Sequence, residues 1–158
     1  MSSLSFTSAA LALMRESDIN DVLDIERRSN PHPWRREHFE NALKCGHLCI
    51  IAQEAHSVVG FAIARALVDD AELLLIAVSP ECRRSGIATA LVNELAARLT
   101  AISKSPLHLE VRASNEGAIA FYAARGFVRS GLRKNYYPNG VLGQQREDAV
   151  LMQRHLIE

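Results

Sequence analysis

The stretch Leu73–Leu91, LLLIAVSPECRRSGIATAL, decides the fold of this chain. It opens with six apolar residues, Leu73–Val78, a run that is typical of a well-buried strand. After a short polar loop, apolar residues recur at every fourth position, which predicts an amphipathic helix from Gly86 to about Ile102. The inner face of that helix would carry Ile87, Leu91, Leu95 and Leu99.

The loop between this strand and this helix has the features of an anion site. A helix N-terminus presents unpaired backbone N–H groups and a partial positive charge, and Arg83 and Arg84 add two cations beside it. Gly86 lets the backbone approach a ligand closely, so pyrophosphate is the ligand that suits the loop best. The alternative on these residues alone is a surface turn capped by Ser85. The nucleotide motifs GxxxxGK(S/T) and GxGxxG do not occur.

Around this unit, the hydrophobic pattern predicts the element order β-α-α-β-β-β-α-β-α-β-β. The early strands follow one another through short turns and are expected to be antiparallel, whereas the later β-α-β crossover adds a parallel pair. We therefore predict an α/β fold with a mixed central β-sheet and helices on both faces. No low-complexity or Pro/Gly-rich linker divides the 158 residues. Residues 11–158 are interpreted as a single domain after a flexible tail at residues 1–10.

The composition argues against several classes of function. Eighteen basic residues balance eighteen acidic ones, so no broad positive field would attract nucleic acid or an anionic membrane. The apolar runs fall far short of the roughly 20 residues of a transmembrane helix. Three cysteines without a CxxC pair and six scattered histidines predict no metal site and no disulfide framework. They favour buried or half-buried thiols in a reducing cytoplasm.

Two motifs at a fixed distance resemble a known family. The loop Arg83–Ala88, read as R-x-x-G-x-A, is similar to the pyrophosphate loop of the GCN5-related N-acetyltransferases (the GNAT family). The stretch Ser114–Phe127, SNEGAIAFYAARGF, is similar to the helix and strand that flank the thiol end of the cofactor in that family. The resemblance implies the GNAT fold and acetyl-coenzyme A as co-substrate, without a metal. It assigns cofactor contacts to Ile76, Ala77, Val78, Arg83, Arg84, Ser85, Gly86, Ile87, Ala88, Thr89 and Asn115.

Four shorter motifs carry a narrower resemblance, to the RimI-type bacterial enzymes of that family. They are HPW at residues 32–34, LEVRASN at 109–115, RKNYYP at 133–138 and REDA at 146–149. Those enzymes acetylate the N-terminal alanine of small-subunit ribosomal protein eighteen, so the resemblance implies a cytoplasmic peptide N-terminal acetyltransferase. The expected partner is the N-terminal segment of a ribosomal protein. The expected state is a monomer without direct contact to nucleic acid or membrane.

The strand PLHLEVRA at residues 106–113 supplies the candidate general base, Glu110. Alternation places Glu110 on the polar face of the strand, opposite a face formed by Leu107, Leu109 and Val111. A charge in the middle of a central strand is costly unless it is paired or functional, and the structural alternative is an ion pair with Arg112. The resemblance implies that the glutamate at this place takes the proton of the amine, through water.

Tyr122 is the candidate general acid. Its helical spacing from Ala118 and Phe121 fits an ordinary core aromatic as well, but the hydroxyl of a buried tyrosine needs a partner. A phenol, with an ordinary pKa of about 10, can donate a proton to a departing thiolate, and the resemblance implies this role for the matching tyrosine. Asn115 is expected to cap the same helix.

Other residues are weaker candidates. His108 and His32 are alternative bases, because imidazole titrates near neutral pH. Aromatic side chains expected to line a peptide-entry groove are Trp34, Tyr136 and Tyr137. Acidic residues that either attract a basic peptide or are solvated surface groups are Glu26, Asp69, Asp70 and Glu72. Two other functions stay open: acetylation of lysine side chains or small amines, and a non-catalytic coenzyme-A-binding regulatory module.

Overall fold

The computed structural model describes residues 9–139 and 145–157, and within them the elements follow the predicted order. The strands are β1 Ala10–Leu13, β2 Leu48–Glu54, β3 Ser57–Ala66, β4 Ala71–Val78, β5 Leu107–Arg112, β6 Val128–Asn139 and β7 Gln145–Arg154. The α-helices are α1 Ile19–Ser29, α2 Arg36–Lys44, α3 Ile87–Ala101 and α4 Glu116–Ala124. The predicted flexible tail falls mainly on residues 1–8, which lie outside the described residues.

The chain forms two compact units. The first consists of Met1–Ala66 and Leu74–Arg98, and the second of Leu67–Leu73 and Leu99–Glu158. Strand β4 and helix α3 therefore contribute residues to both units. The assignment of residues 11–158 to a single domain stays a prediction.

In the first unit, helices cover both faces of the strands. β1 pairs with β2 and β2 with β3, each antiparallel. Phe61 of β3 packs with residues of α1 and α2 in one apolar cluster, and its ring lies 5.6 Å from that of Phe39. At the neighbouring Gly60, a Cβ would lie only 3.1 Å from Ile87 of α3. Successive strand residues face opposite sides, so α3 lies on the other face, which confirms the predicted layers.

The residues of β4 are less buried than their sequence predicts. In β3, all residues from Val59 to Ala64 are buried, whereas Leu74–Ala77 of β4 are only half-buried. Leu74, Leu75 and Ala77 do pack against the core cluster of the first unit, so the strand is not displaced from the core. An apolar strand that stays half-exposed offers surface to a ligand, and the pattern of the sequence alone could not separate that case from full burial.

The second unit contains the mixed part of the sheet. β4 and β5 pair in parallel at Ala71↔Leu107 and Glu72↔His108. β5 and β7 pair antiparallel from Leu107↔Arg154 to Arg112↔Ala149, and β7 pairs antiparallel with β6. One parallel and two antiparallel pairings within this unit confirm the prediction of a mixed sheet.

The helix boundaries follow local signals, with one exception. In α3 the residues Ile87, Leu91, Leu95 and Leu99 are fully buried. Burial of each side chain contributes about 1.5–3 kcal/mol to the stability of the fold. α2 ends at Lys44, and two residues later Gly46 has a φ of +74°, which suits a residue without a side chain. The exception is α1, which follows a 3₁₀ turn at Glu16–Asp18. Asp18 stands at the N-cap position of α1, but its side chain accepts a hydrogen bond from the Arg15 amide at 2.8 Å and makes no capping bond to α1.

Candidate active site

The predicted anion loop lies in the first unit and connects β4 to α3. After a 3₁₀ turn at Pro80–Cys82, positive φ angles occur at Arg84 (+63°) and Gly86 (+84°). The Ala90 amide then donates to the Gly86 carbonyl at 3.0 Å, the first turn of α3. Arg83, Arg84 and Gly86 are exposed. Among the other predicted contacts Ser85, Ala88 and Thr89 are half-buried and Ile87 is buried.

Side chains beside the loop fix its shape. The Ser85 hydroxyl donates to the Cys82 carbonyl, and Arg83 Nη2 lies 3.3 Å from the Ser29 hydroxyl. The Glu81 carboxylate accepts hydrogen bonds from the Ser79 hydroxyl and from Arg28, and these partners lower the pKa of Glu81 to about 2. Arg28 also pairs with Asp24, with Arg28 Nε 3.0 Å from Asp24 Oδ2, so one guanidinium bridges the two carboxylates beside the loop.

This arrangement fits a multiply charged anion. Two exposed guanidinium groups adjoin the N-terminal amides of a 15-residue helix, where the helix dipole favours negative charge. Before the loop, Ile76 and Ala77 are half-buried and Val78 is buried. The residues predicted to contact the pyrophosphate and the pantetheine arm therefore form one continuous segment of chain.

The candidate base lies in the second unit, on β5. Burial alternates along this strand, with Leu107, Leu109 and Val111 buried and the other residues half-buried, which confirms that Glu110 is on the polar face. Glu110 Oε1 lies 3.5 Å from Arg133 Nε of β6.

The alternative prediction, an ion pair between Glu110 and Arg112, is wrong. Arg112 Nη1 lies 3.4 Å from Glu147 Oε2 and donates to the Pro138 carbonyl at 3.1 Å. Positions i and i+2 of one strand, such as Glu110 and Arg112, are about 6.6 Å apart. The strand register places Arg133 on the same face of the sheet as Glu110. Sequence spacing could not identify Arg133 as the partner, because the pairing of β6 with β7 determines it.

Two tyrosines of β6 accompany the base. The Tyr136 hydroxyl donates a hydrogen bond to the Glu110 carboxylate, and this contact raises the pKa of Tyr136. Burial, together with the negative charge of Glu110, raises the pKa of Tyr137 to about 12. Both residues were predicted to line a groove for the peptide, and the structure places Tyr136 directly at the candidate base.

The candidate acid, Tyr122, lies on α4 of the same unit. Its ring packs edge-on against Phe121 and Phe127, with centroids 5.3 and 5.5 Å away, and the side chain is buried. Burial raises the pKa of Tyr122 to about 12, so its hydroxyl keeps its proton throughout the neutral range. Asn115 Oδ1 accepts from the Ala118 amide at 3.1 Å, which confirms the predicted cap of α4.

The alternative bases have different surroundings. His108 Nε2 lies 2.8 Å from Asp70 Oδ2, so one ring nitrogen is engaged and Asp70 is a paired residue instead of a solvated one. His32 is exposed in the first unit, where its amide donates to Asn30 Oδ1 at 3.0 Å. The same polar face of β5 that carries Glu110 also carries His108, but His108 already has a partner.

Glu26 was expected to be an exposed acid, and that expectation is wrong. Glu26 is 1% exposed, and its Oε2 accepts from the Trp34 amide at 3.0 Å. Burial raises its pKa above the ordinary value. The signal was present in the sequence, because Ile19, Val22 and Glu26 follow helical spacing along the buried stripe of α1. The carboxylate holds the start of the segment that leads into α2.

The raised pKa of Glu26 predicts that the free energy of unfolding depends on pH. The folded protein holds this proton more tightly than the unfolded chain. Its contribution to the free energy of unfolding is therefore fully present below about pH 4.5 and is lost as the pH rises through the raised pKa. Glu26→Gln is neutral at every pH and lacks this contribution. Urea unfolding at a series of pH values upward from about 4.5 should show the wild type gaining stability, relative to the variant, as the pH falls; a constant difference would contradict this.

Metal ligation and thiol chemistry have little support in the described part of the chain. No group of three or more His, Cys, Asp or Glu residues there is arranged to hold a metal ion. Cys49 is buried, which raises its pKa to about 11, and Cys82 is half-buried. Cys45 is exposed, so the prediction of buried or half-buried thiols is wrong for this residue. Among the helices described, none has the length and apolar character needed to span a membrane.

Comparison with known proteins identifies the family. The model of the acetyltransferase (GNAT) family matches residues 19–127, a range that includes the anion loop, Glu110 and Tyr122. The chain belongs to the GNAT acetyltransferase family, which confirms the fold and the class of enzyme that the sequence predicted.

Its relatives include enzymes of one named activity. The ribosomal protein bS18-alanine N-acetyltransferase of Escherichia coli (strain K12) is 34% identical over 142 residues, covering 90% of this chain and 94% of the relative. A crystal structure of the Escherichia coli enzyme matches with a TM-score of 0.87 and 32% identity, over 95% of both chains. A phosphinothricin acetyltransferase from Sinorhizobium meliloti, in complex with AcCoA, matches with a TM-score of 0.77 and 25% identity, over 94% of this chain and 89% of the other.

Proposed function

We propose that this protein transfers the acetyl group of acetyl-coenzyme A to the N-terminal alanine of small-subunit ribosomal protein eighteen, directly within a ternary complex. The observation that carries the proposal is the identity of 34% over 90% of the chain with an enzyme named for that reaction. The presence of a carboxylate that can act as a general base also supports the proposal. Glu110 lies on the polar face of β5, where Arg133 and Tyr136 contact it. Because the proposed substrate is a ribosomal protein, we propose a cytoplasmic location, and we further propose that the protein is a monomer.

The first unit would bind the co-substrate. Arg83, Arg84 and the amides from Gly86 onward would hold the pyrophosphate, with Ser85, Ile87, Ala88 and Thr89 completing the loop. Along β4, the backbone of Ile76 and Ala77 would pair with the amides of the pantetheine arm as an added strand does. The Val78 N–H would polarise the thioester carbonyl. One assigned cofactor contact, Asn115, belongs to the second unit, where it also caps α4.

The second unit would move the protons. An α-amino group has an ordinary pKa of about 7.7–8.0. A base of modest strength is therefore sufficient, and Glu110 would accept the proton through water. The amine nitrogen then bonds to the carbonyl carbon as the carbon–sulfur bond breaks, and the nitrogen releases its second proton through the same water to solvent. Tyr122 donates its proton to the departing thiolate and is restored from solvent. The high pKa of Tyr122 ensures that this proton is present at neutral pH.

Tyr122→Phe tests the acid. The ring contacts with Phe121 and Phe127 survive in this variant, so the fold should be retained while the proton donor is lost. We expect kcat to fall about 100-fold, the lower end of general acid–base contributions, with the KM for acetyl-coenzyme A little changed. Steady-state kinetics at neutral pH measure this, and a variant with full kcat would exclude Tyr122 as the acid.

One assay distinguishes the proposed function from the two alternatives, acetylation of lysine side chains or small amines and non-catalytic binding of coenzyme A. Chromatographic measurement of coenzyme A release, with and without an amine, distinguishes an enzyme from a binding module. Release that depends on a peptide with a free N-terminal alanine supports the proposal. Release that depends only on lysine or a small amine would keep the family and overturn the substrate. Binding of coenzyme A without release in the presence of any amine would favour the regulatory module.

A further inference from the structure

Strand β6 contains a bulge next to the candidate base. Arg133 pairs with Ala149 and Tyr137 pairs with Glu147, so four steps along β6 oppose two steps along β7. Within the bulge, Asn135 has a φ of +53°, and its amide donates to Asp148 Oδ1 at 2.9 Å. The side chain of Asp148 therefore binds the backbone of the extra residues.

The bulge changes where the side chains of β6 point. On a regular strand, Tyr136 and Tyr137 would face opposite sides, yet their rings lie 5.0 Å apart. Arg133 shares the face of Glu110, because it pairs with Ala149, which pairs with Arg112. Three positions separate Arg133 from Tyr136, so an unbroken strand would turn the tyrosine away from this face. Bulges commonly re-aim a side chain in this way beside active sites.

The re-aimed Tyr136 and the regularly paired Arg133 together hold the base. The Tyr136 hydroxyl donates to the Glu110 carboxylate, and Arg133 Nε lies 3.5 Å from Glu110 Oε1. The Arg133 guanidinium also lies over the Tyr136 ring, 5.3 Å from its centroid. A glutamate side chain with both of these partners loses rotamer freedom before the amine arrives, which places its carboxylate in a defined position.

We propose that Asp148 is a positioning residue for the acetyl transfer: its carboxylate holds the β6 bulge that brings Tyr136 onto the Glu110 carboxylate, beside Arg133. This inference rests on the proposed function, in which Glu110 receives the proton of the amine. Asp148 acts through the backbone of Asn135 and through Tyr136, so it is not itself a catalytic residue. Its loss should lower kcat and leave the binding of acetyl-coenzyme A unchanged.

The test compares two substitutions of Asp148. Asp148→Asn keeps an oxygen that accepts from the Asn135 amide, whereas Asp148→Ala removes it. We expect kcat to fall about tenfold in Asp148→Ala and to stay within twofold of wild type in Asp148→Asn, with the KM for acetyl-coenzyme A unchanged in both. Lys134→Ala, an exposed position in the same bulge, is the matched control and should behave as wild type. Equal kcat values for Asp148→Ala and wild type, or equal losses in both Asp148 variants, would overturn the inference.

A second readout is independent of activity. Titration of ring-labelled tyrosines by NMR should show the raised pKa of Tyr136 returning toward its ordinary value near 10 in Asp148→Ala and staying raised in Asp148→Asn. If the wild type acetylates a different amine, the proposed substrate fails while the kinetic comparison proceeds with that amine. Tyr136 is 40% exposed, so its replacement should not prevent folding; if Asp148→Ala does not fold, Tyr136→Phe should show the same tenfold loss of kcat. An unchanged kcat in that variant would also overturn the inference.

Discussion

Replacement of Glu110 by glutamine is expected to lower kcat by roughly 100- to 10,000-fold, the contribution that general acid–base catalysis makes in enzymes. Glutamine retains the shape of the side chain and an oxygen that accepts from Tyr136, but it cannot take a proton from the amine. The KM for acetyl-coenzyme A should stay within about twofold, since the residues assigned to the cofactor are unchanged. Steady-state kinetics with a peptide that carries an N-terminal alanine measure both constants.

A matched substitution controls for the loss of one negative charge. Glu40 is exposed on α2, and Glu40→Gln should leave kcat and KM at their wild-type values. Full activity in Glu110→Gln would contradict the assignment of the base. In that case His108, which lies on the same face of β5 and pairs with Asp70, becomes the residue to replace.

Replacement of Gly86 by alanine is expected to raise the KM for acetyl-coenzyme A about tenfold with a smaller effect on kcat. The φ of +84° at this position costs an L-residue about 1–2 kcal/mol, and about 1.4 kcal/mol corresponds to tenfold in affinity. To relieve this strain, the loop would have to move the amides at the N-terminus of α3 and displace the exposed Arg84. Kinetics with varied acetyl-coenzyme A give the change directly, and calorimetric titration gives the Kd.

Gly46 provides the control for backbone strain alone. Its φ of +74° is similar, and an added Cβ would have no neighbour within 4 Å, but it lies at the end of α2, away from the loop in sequence. Gly46→Ala should lower the thermal stability about as much as Gly86→Ala does and leave the KM for acetyl-coenzyme A unchanged. Equal KM values for Gly86→Ala and wild type would contradict the assignment of the loop to the pyrophosphate.

The order of helices and strands could be predicted because most of the elements carry a strong local signal. The four-residue spacing of Ile87, Leu91, Leu95 and Leu99 matches a stripe that is fully buried. The alternation in Leu107–Arg112 matches the burial along β5 residue for residue. Both patterns depend on neighbours along the chain, and local sequence therefore contains the information that fixes them.

The partners of the candidate site could not be predicted, because strand register determines them. Arg133 meets Glu110 only through the pairing of β6 with β7 and of β7 with β5. Tyr136 reaches the same carboxylate only because of a bulge that Asp148 stabilises. Neither feature leaves a periodic signal in the sequence. The motif RKNYYP contributed both residues to the resemblance, but it gave no indication that they bind the base.

Burial of single polar residues was the other source of error. Glu26 lies on the inner stripe of α1, yet a glutamate is almost never fully buried unless it has a partner, and the partner here is the backbone amide of Trp34. The apolar run of β4 gave the opposite error, since Leu74–Ala77 are only half-buried. The type of a residue predicts only its average burial. The burial of Glu26 depends on the Trp34 amide, and the partial exposure of β4 leaves surface for a ligand; the local sequence pattern contains neither feature.

Intact-mass spectrometry with two peptides tests the central claim most directly. One peptide carries a free N-terminal alanine and no lysine; the other is blocked at its N-terminus and carries one internal lysine. With acetyl-coenzyme A and the wild-type protein, we predict a single added acetyl group on the first peptide and none on the second, and transfer at least about 100-fold slower with Glu110→Gln. Acetylation of the lysine peptide alone would contradict the account of N-terminal transfer.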